Sequence, residues 1–174
     1  MIHAYTGDGK GKSTCGLGLL IRAYGAGKRV MMIMFDKGGK NYKHSELNAL
    51  DKLNIDYEVT GLERMQPDGK FRFGVSNEDR MEAKRGLSLA LQVLKSSKYD
   101  LIVLDEFLTA ISFELLSLTD FNILLETTPK ETELVLTGRC RDSKLLDKCD
   151  LVTNMTKIKH YYEKGQKARK GIEY

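Results

Sequence analysis

A glycine-rich segment near the start of the sequence constrains the fold more than any other feature. Residues 6–14 read Thr-Gly-Asp-Gly-Lys-Gly-Lys-Ser-Thr, and they lie between a short apolar run and a helical pattern. Glycines let the backbone curl until successive N–H groups point at phosphate oxygens, and the N-terminus of the next helix adds positive potential. This strand–loop–helix context is the one that a phosphate-binding loop requires, although the usual pattern has glycine where this chain has Thr6.

Two side chains at the end of this loop have the chemistry that a bound triphosphate needs. Lys12 carries a positive charge for the phosphates, and the Ser13 hydroxyl is a ligand that Mg²⁺ accepts. We expect Lys12 to be exposed at the loop and to lie outside the core. The alternative, a glycine-rich turn without a ligand, is disfavoured by the Gly-Lys-Ser-Thr ending in this context.

Apolar runs alternate with helical patterns along the rest of the chain. Several runs are continuously apolar, which is typical of parallel strands that helices cover on both faces. The predicted strands are residues 2–5, 30–35, 57–60, 101–104, 134–137 and 151–153, and the predicted helices are residues 13–26, 76–96, 119–126 and 142–148. This order predicts a single α/β domain over residues 1–174, with a mostly parallel, doubly wound sheet. Residues 61–75 show no clear pattern, and their number is typical of a functional loop.

A pair of acids follows the fourth predicted strand. The sequence Leu-Ile-Val-Leu-Asp-Glu ends in Asp105 and Glu106, at the carboxyl edge where parallel α/β proteins bind ligands. In phosphate-loop proteins an acid at this position serves Mg²⁺, directly or through water. The alternative is a strand end followed by a helix cap.

Three arginines and a glycine pair are further candidates for ligand contact. Arg139 and Arg141 follow the fifth predicted strand and have guanidinium groups able to bind an anion. Arg22 lies on the first predicted helix, nine residues after Ser13. Each of these arginines also fits a surface charge. The segment Phe-Asp-Lys-Gly-Gly at residues 35–39 ends in two glycines, which would let a ligand or a loop approach the backbone closely.

Composition excludes several other classes of protein. Cys15, Cys140 and Cys149 are far apart and form no zinc-binding pattern, and such sparse cysteines fit a reducing cytosol. No apolar run is long enough to cross a membrane, and we expect a cytoplasmic protein without membrane partners. The net charge of +4 comes from residues 157–174, which hold six Lys or Arg and two Glu. Such a basic tail is usually a solvated end, so we expect no nucleic-acid partner.

Taken together, these motifs resemble the phosphate-loop class of ATP:cob(I)alamin (corrinoid) adenosyltransferases. The resemblance rests on five blocks in order, at residues 5–14, 22–27, 35–38, 104–106 and 137–139, and on the tail residues Lys159, His160, Gly165, Lys167, Ala168 and Gly171-Ile-Glu-Tyr. It covers essentially the whole chain. A loop that begins Thr-Gly is the variant of this family, and the tail is absent from other phosphate-loop enzymes.

The resemblance implies a reaction and a set of site residues. A Co(I) corrinoid attacks the 5′ carbon of ATP, and inorganic triphosphate leaves. This reaction needs no general base, and no such base is evident in the sequence. Family members use Mg²⁺, work as homodimers and receive a corrinoid reduced by a flavoprotein. Lys12 and Glu106 are the expected catalytic residues, and Ser13 and Glu106 the expected Mg²⁺ ligands. The nucleotide-binding residues would be Gly7, Asp8, Gly9, Lys10, Gly11, Lys12, Ser13 and Thr14, with Arg22 and Arg139 as weaker candidates.

One segment departs from the family pattern. The family usually has a Gly-aromatic-x-Trp segment after the third strand, which helps to remove the lower ligand of the corrinoid. Here residues 60–66 contain no aromatic side chain, although Leu62 and Met65 supply apolar surface. This departure keeps open a second function, a non-catalytic nucleotide or corrinoid sensor. A third, a phosphate-loop nucleoside kinase, also stays open, although its thymidine kinase type carries a cysteine-ligated zinc lasso that this chain lacks.

Overall fold

Six parallel strands form the sheet at the centre of the protein. The computed structural model describes residues 1–39, 44–64, 70–140 and 142–174. The strands are β1 (Ile2–Thr6), β2 (Val30–Met34), β3 (Asp56–Val59), β4 (Leu101–Asp105), β5 (Glu133–Thr137) and β6 (Leu151–Asn154). Their order is β3-β2-β4-β5-β1-β6, and every neighbouring pair is parallel. All six predicted strands are confirmed to within one residue at each end.

Within the described residues, six α-helices and a short 3₁₀ helix accompany the sheet. They are α1 (Lys12–Gly25), α2 (Glu46–Leu53), α3 (Asn77–Ser96), α4 (Phe107–Ser112), α5 (Leu118–Thr127), α6 (Ser143–Leu146) and the 3₁₀ helix Tyr161–Lys164. A capping box starts α3, in which Asp79 N–H donates to Ser76 Oγ at 3.2 Å and Ser76 N–H donates to Asp79 Oδ2 at 2.8 Å. The four predicted helices correspond to α1, α3, α5 and α6.

The helices α2 and α4 were not predicted. They have eight and six residues, too few for a clear helical period in the sequence. Both are held by burial of their apolar side chains, such as Leu50 of α2 and Phe107 of α4. Helices this short depend on tertiary packing, which a local pattern does not report.

The sheet has a core on each face, and β2 shows why its sequence is continuously apolar. Met31 and Ile33 pack with α3, α4 and α5 on one face, whereas Met32 and Met34 pack with α1 and α2 on the other. Successive side chains of a strand point to opposite faces, so a strand covered on both sides needs apolar residues at every position. The predicted α/β fold with helices on both faces is confirmed, with a sheet that is entirely parallel.

The carboxyl ends of the strands meet at one edge of the sheet. Thr6 ends β1, Asp105 ends β4 and Thr137 ends β5, and these three strands are neighbours in the order β4-β5-β1. The described parts of the predicted loop 61–75 hold no helix or extended strand, and Arg72 N–H donates to the carbonyl of Arg64 at 2.7 Å. The segments that the sequence marks as functional therefore converge on the edge where parallel sheets bind ligands.

Candidate functional site: a phosphate loop beside an aromatic loop

The phosphate loop, residues 6–14, connects β1 to α1 in a strained path that glycine permits. Gly7 has φ 105° and Gly11, the N-cap of α1, has φ 119°, in the region that L side chains rarely adopt. A Cβ at Gly9 would lie 2.7 Å from the carbonyl oxygen of Met155. The loop is therefore packed against the residues that follow β6.

Two groups of the phosphate loop are already hydrogen-bonded to residues that follow β6. Gly9 N–H donates to the Met155 carbonyl at 2.6 Å. The Asp8 carboxylate accepts a hydrogen bond from Lys157 N–H at 2.9 Å, and this bond is the main reason why the pKa of Asp8 is lowered. These two predicted phosphate-binding residues thus fix the loop to Met155, just after β6, and to Lys157, the first residue of the tail, which comprises residues 157–174.

The side chain of Lys12 is buried, and the expectation that it would be exposed is wrong. It is 9% exposed, and its ammonium donates to the Gly9 carbonyl within the loop at 2.6 Å. Burial lowers the pKa of Lys12, and attraction to Glu106 offsets only part of this effect. The hydrogen bond to Gly9 therefore holds the Lys12 ammonium inside the loop.

Asp105 is the fully buried acid of the pair at the end of β4. It accepts a hydrogen bond from Thr137 Oγ1 at 2.5 Å, and its other oxygen forms an ion pair with Lys37. Burial would raise the pKa of Asp105, but the Lys37 ammonium and hydrogen bonds from Lys37, Thr137 and Ser13 outweigh it and lower the pKa. Burial would likewise lower the pKa of Lys37, yet the neighbouring acids, Asp105 first among them, raise it. Asp105 and Lys37 are therefore a charged pair beneath the loop.

Glu106 lies next to this pair in an unusual backbone conformation. Its φ of 60° is left-handed, and its N–H donates to Thr137 Oγ1 at 3.0 Å. Thr109 Oγ1 donates to its carboxylate at 2.5 Å. Burial, followed by repulsion from Asp105, raises the pKa of Glu106. A cation near this carboxylate would relieve that repulsion, which fits the predicted Mg²⁺ ligand.

The turn after β5 packs against the same helix start. Gly138 has φ 127°, and a Cβ there would lie 2.6 Å from the Thr109 nitrogen. Arg139 N–H donates to Thr109 Oγ1 at 2.8 Å, and the Arg139 side chain is exposed. Its charge acts on Lys12, where it lowers the pKa. Arg141 lies outside the described residues.

The phosphate loop borders a cavity of about 470 Å³, which we call the phosphate-loop cavity. Six predicted site residues line it: Lys10, Gly11, Lys12, Ser13, Thr14 and Glu106. The other described residues that line it are Leu17, Met32, Lys37, Ser45, Glu46, Gly171, Ile172, Glu173 and Tyr174. Gly7, Asp8 and Gly9 belong to the loop but not to this lining.

Arg22 is not brought to this cavity. It is exposed in the last turn of α1, ten residues beyond Lys12, which is about 15 Å of helix rise. A side chain at the far end of the helix does not reach the loop at its start within this chain.

A smaller cavity of about 220 Å³, the adjacent cavity, shares a wall with the phosphate-loop cavity. Lys37 and Glu106 line both. The remaining lining residues are Asp36, Gly38, His44, Glu63, Arg64, Phe71 and Thr109. The backbone at Gly38 touches that at Gly61, because a Cβ at Gly38 would overlap the Gly61 carbonyl oxygen. The predicted close approach at the glycine pair is thus an approach by the loop that follows β3.

An aromatic pair projects from that loop. Phe71 is 49% exposed and Phe73 is 85% exposed, and their ring centroids are 5.2 Å apart. We call residues 61–75, where described, the aromatic loop. The loop after β3 therefore does carry aromatic side chains, further along than residues 60–66. Leu62 supplies apolar surface but no ring, and Met65 lies outside the described residues.

Charged pairs hold the aromatic loop from beneath. Arg72 forms a two-pronged ion pair with the buried Asp79 carboxylate, at 2.6 and 2.9 Å. Arg64 pairs with Asp36 at 2.8 Å and approaches Asp79 at 3.6 Å. Hydrogen bonding from Arg72 is the main reason why the pKa of Asp79 lies well below its usual range. The aromatic rings are exposed, but the backbone that carries them is anchored to α3 and β2.

Sequence reasoning missed three parts of this site. Asp105 was noted but not chosen, and Lys37 was noted only within its block. Residues 171–174 were noted for their resemblance to the family tail but were not assigned to the site. Signals existed for two of them: an acid at a strand end beside Glu106, and a lysine directly after another strand. Nothing in the local sequence indicates that the tail reaches the phosphate loop.

Comparison with known proteins agrees with this arrangement. Residues 1–174 match the family described as ATP:corrinoid adenosyltransferase BtuR/CobO/CobP. This chain belongs to that family. It is a family of transferases, and the α/β fold of this chain is the one that the resemblance implied.

Several curated relatives are about 30% identical. A corrinoid adenosyltransferase of Escherichia coli is 30% identical over 176 residues, which are 100% of this chain and 85% of that protein. The corrinoid adenosyltransferase CobA of Salmonella typhimurium is 29% identical over 179 residues, with the same shares. An uncharacterized protein of Nostoc sp. is 32% identical over 182 residues, and the matched part is 99% of this chain but 48% of the Nostoc protein. The chain thus spans about half the length of the Nostoc relative.

Two further observations concern membrane-spanning helices and metal-binding clusters. In the described ranges, none of the helices has the length and apolar character needed to span a bilayer. The same ranges contain no cluster of three or more His, Cys, Asp or Glu side chains suited to a metal ion. An Mg²⁺ ion held by a hydroxyl, a carboxylate and phosphate oxygens does not need such a cluster.

Proposed function

We propose that this protein transfers the 5′-deoxyadenosyl group of ATP to the cobalt of a reduced Co(I) corrinoid and releases inorganic triphosphate. The observation that carries this proposal is a family match over residues 1–174 in a chain whose phosphate loop borders a cavity of about 470 Å³. The cavity joins a positively charged loop to an acid at a strand end, as a phosphate-loop enzyme requires.

The reaction balances without a protein base. The Co(I) centre supplies an electron pair to the 5′ carbon, the carbon–oxygen bond breaks, and its electron pair leaves with the triphosphate. Cobalt is formally oxidised to an alkyl Co(III) centre, and no proton has to leave the nucleophile. The task of the protein is therefore to bind, orient and stabilise the leaving anion.

Lys12 and the loop N–H groups would stabilise the negative charge that develops on the triphosphate. Lys12 is already desolvated in the loop, where an ammonium interacts with an anion more strongly than in water. Binding would require its hydrogen bond to Gly9 to be exchanged for one to phosphate, a short movement of a flexible side chain. Lys10, Gly11, Ser13 and Thr14 line the same cavity and would complete the phosphate site.

Ser13 and Glu106 would hold the Mg²⁺ that accompanies ATP. Both line the cavity, and both offer the oxygen ligands that Mg²⁺ prefers. Mg²⁺ would supply neutralisation of phosphate charge. Asp105 is already compensated by Lys37 and would position Ser13 through their hydrogen bond.

The corrinoid would meet the adenosyl group at the wall shared by the two cavities. Phe71 lines the adjacent cavity, and the exposed ring of Phe73 lies 5.2 Å from that of Phe71, so the aromatic loop offers an apolar aromatic surface at its mouth. A corrin ring is too large for this cavity and would lie across the mouth against the rings. These aromatics favour a catalytic corrinoid site over a non-catalytic sensor.

The proposal includes a homodimer, a flavoprotein that reduces the corrinoid, and a cytoplasmic setting. All three rest on the family to which the chain belongs. In support of a reducing setting, the three cysteines are free thiols.

Phosphorus NMR of a reaction with ATP, Mg²⁺ and chemically reduced cobalamin tests the proposed function. We expect a light-sensitive adenosylated corrinoid and intact triphosphate in equal amounts, and no triphosphate when the corrinoid is left out. ADP and phosphate formed without corrinoid would instead identify a kinase or ATPase. Binding of both ligands without any product would identify a sensor.

A further inference from the structure

The last residues of the tail form one wall of the phosphate-loop cavity. Residues 171–174 line it together with the phosphate loop, although the two segments are more than 150 residues apart in the sequence. They touch directly, since Lys10 Nζ donates to the Ile172 carbonyl oxygen at 2.6 Å. The phosphate-binding motif therefore closes only part of the cavity. The tail closes another part.

This wall is fastened at both ends. Lys10 of the phosphate loop bonds Ile172 and lies 3.5 Å from the Glu173 carboxylate. Ser45, the N-cap residue of α2, donates its hydroxyl hydrogen to the Tyr174 carbonyl oxygen at 2.8 Å. Residues 171–174 thus bridge the phosphate loop and the start of α2.

Glu173 connects residues 171–174 to the earlier part of the tail. Its carboxylate accepts hydrogen bonds from the Tyr161 hydroxyl and, at 2.6 Å, from the Arg169 N–H. The Arg169 guanidinium also lies 5.0 Å from the centre of the Tyr161 ring. This network gives the tail a built conformation around Glu173, which a merely solvated basic end does not have.

The chemistry of the wall differs from that of the loop. A triphosphate needs cations, hydroxyls and N–H groups, which the phosphate loop supplies. Leu17, Ile172 and Tyr174 line the same cavity and offer apolar and aromatic surface, which does not bind phosphate. Such surface suits the purine of a nucleotide, whose face is apolar and stacks on aromatic side chains.

We propose that residues 171–174 form the nucleoside-binding wall of the site, through which the enzyme distinguishes ATP from inorganic triphosphate. Lys10 and Glu173 act as positioning residues that hold this wall against the phosphate loop. The proposal rests on the proposed function, since it assigns the adenosine of the same ATP to the tail. It also explains why Lys10, although part of the phosphate motif, is bonded to the tail.

A double variant and a matched control test this assignment. Ile172→Ala/Tyr174→Ala removes side chains from the wall, whereas Ile158→Ala/Tyr162→Ala removes the same side chains from tail positions that are 91% and 74% exposed and outside this cavity. Calorimetric titration measures the affinity of each protein for Mg²⁺–ATP and for Mg²⁺–triphosphate. We expect the first variant to bind ATP about tenfold more weakly and triphosphate within about twofold of the unaltered protein, and the control to change neither.

The ratio of the two affinities makes the test independent of partial misfolding, because unfolded protein lowers the apparent binding of both ligands alike. Glu173→Gln should shift the ratio in the same direction by about threefold, since it weakens the network without removing the wall. Equal loss of both ligands, tighter binding of both, or no change would each overturn the proposal. The unaltered protein would then still bind ATP, so the proposed function would stand; failure of the unaltered protein to bind ATP would overturn both.

Discussion

The two cavities that share Lys37 and Glu106 are built in different ways. On its sheet side, the phosphate-loop cavity is lined by Lys37 and Glu106, which belong to a set of interlocked buried groups at the ends of central strands, such as Asp105 with Thr137 and Lys37. The adjacent cavity opens onto exposed aromatic rings carried by a loop. Groups fixed by the sheet suit the binding of phosphate, which is common to many phosphate-loop proteins. The sequence of a loop such as the aromatic loop can vary with the substrate.

This difference separates the effects that substitutions should have. Changes on the phosphate-loop side should impair binding of nucleotide and metal, and with them every later step. Changes on the aromatic loop should alter use of the corrinoid and leave nucleotide binding intact. The predictions below test whether the two sides are separable in this way.

The largest effect is expected from Lys12→Ala. This change removes the ammonium that would stabilise the leaving triphosphate, so we expect turnover to fall by at least about 100-fold. It also leaves the Gly9 carbonyl without the hydrogen bond that Lys12 donates, so the unfolding free energy should fall by about 1 kcal/mol. Steady-state kinetics and denaturant unfolding measure the two effects, and Lys28→Ala, at an exposed lysine after α1, is the control. Near-normal turnover by folded Lys12→Ala protein would contradict the assigned role.

The second prediction concerns metal dependence. Glu106→Gln keeps the shape of the side chain and removes the charge proposed to serve Mg²⁺, so the Mg²⁺ concentration for half-maximal activity should rise about 10-fold or more. Thermal stability should change little, because the substitution also removes repulsion with Asp105. Glu114→Gln is a matched control: Glu114 also has a left-handed backbone, with φ 57°, but is exposed and outside both cavities. A badly destabilised variant with normal metal dependence would return Glu106 to a structural role.

The nucleotide side is also the part that the sequence predicts best. Lys12, Ser13 and Glu106 lie in contiguous motifs next to strands, and parallel strands bring their carboxyl ends to one edge. Composition and local pattern therefore sufficed to bring these residues together. The strands were found for the same reason, since a strand buried on both faces is apolar at every position.

Contacts between distant residues were not predictable in this way. The bond between Lys10 and Ile172 spans 162 residues, and neither residue carries a local signal for the other. The burial of Lys12 depends on how the loop closes, which the motif does not specify. Phe71 and Phe73 were overlooked because the family pattern directs attention to the residues directly after Gly61, whereas the aromatic pair lies about ten residues further along the loop.

A third, smaller effect is expected on the aromatic loop. Phe71→Ala/Phe73→Ala removes the apolar surface at the mouth of the adjacent cavity, so KM for the corrinoid should rise about tenfold. Affinity for ATP should stay within about twofold, because neither ring lines the phosphate-loop cavity. Phe113→Ala, at an exposed phenylalanine that lines neither cavity, is the control. A parallel loss of ATP affinity would show that the two sides are not separable.

The smallest effect should come from the anchor beneath the aromatic loop. Asp79→Asn removes the charge that pairs with Arg72 and Arg64 but keeps an oxygen for the capping box with Ser76. We expect the unfolding free energy to fall by about 1–2 kcal/mol and the corrinoid KM to rise about threefold. The comparable change in an exposed ion pair, Asp100→Asn beside Arg29, should lower the unfolding free energy by less than Asp79→Asn does and leave the KM unchanged.

The pH dependence of this last effect has a definite sign. The pKa of Asp79 is lowered in the folded protein, chiefly by hydrogen bonding from Arg72, so its contribution to stability is fully present above its unfolded pKa of about 4. That contribution is lost as the pH falls below this value toward the folded pKa. The difference in unfolding free energy between the unaltered protein and Asp79→Asn should therefore be constant from about pH 8 to 5 and shrink below about pH 4, as denaturant titrations at each pH would measure. A difference that grew on acidification would mean that Asp79 does not act as a charged anchor, and the aromatic loop would have to be held by its backbone contacts alone.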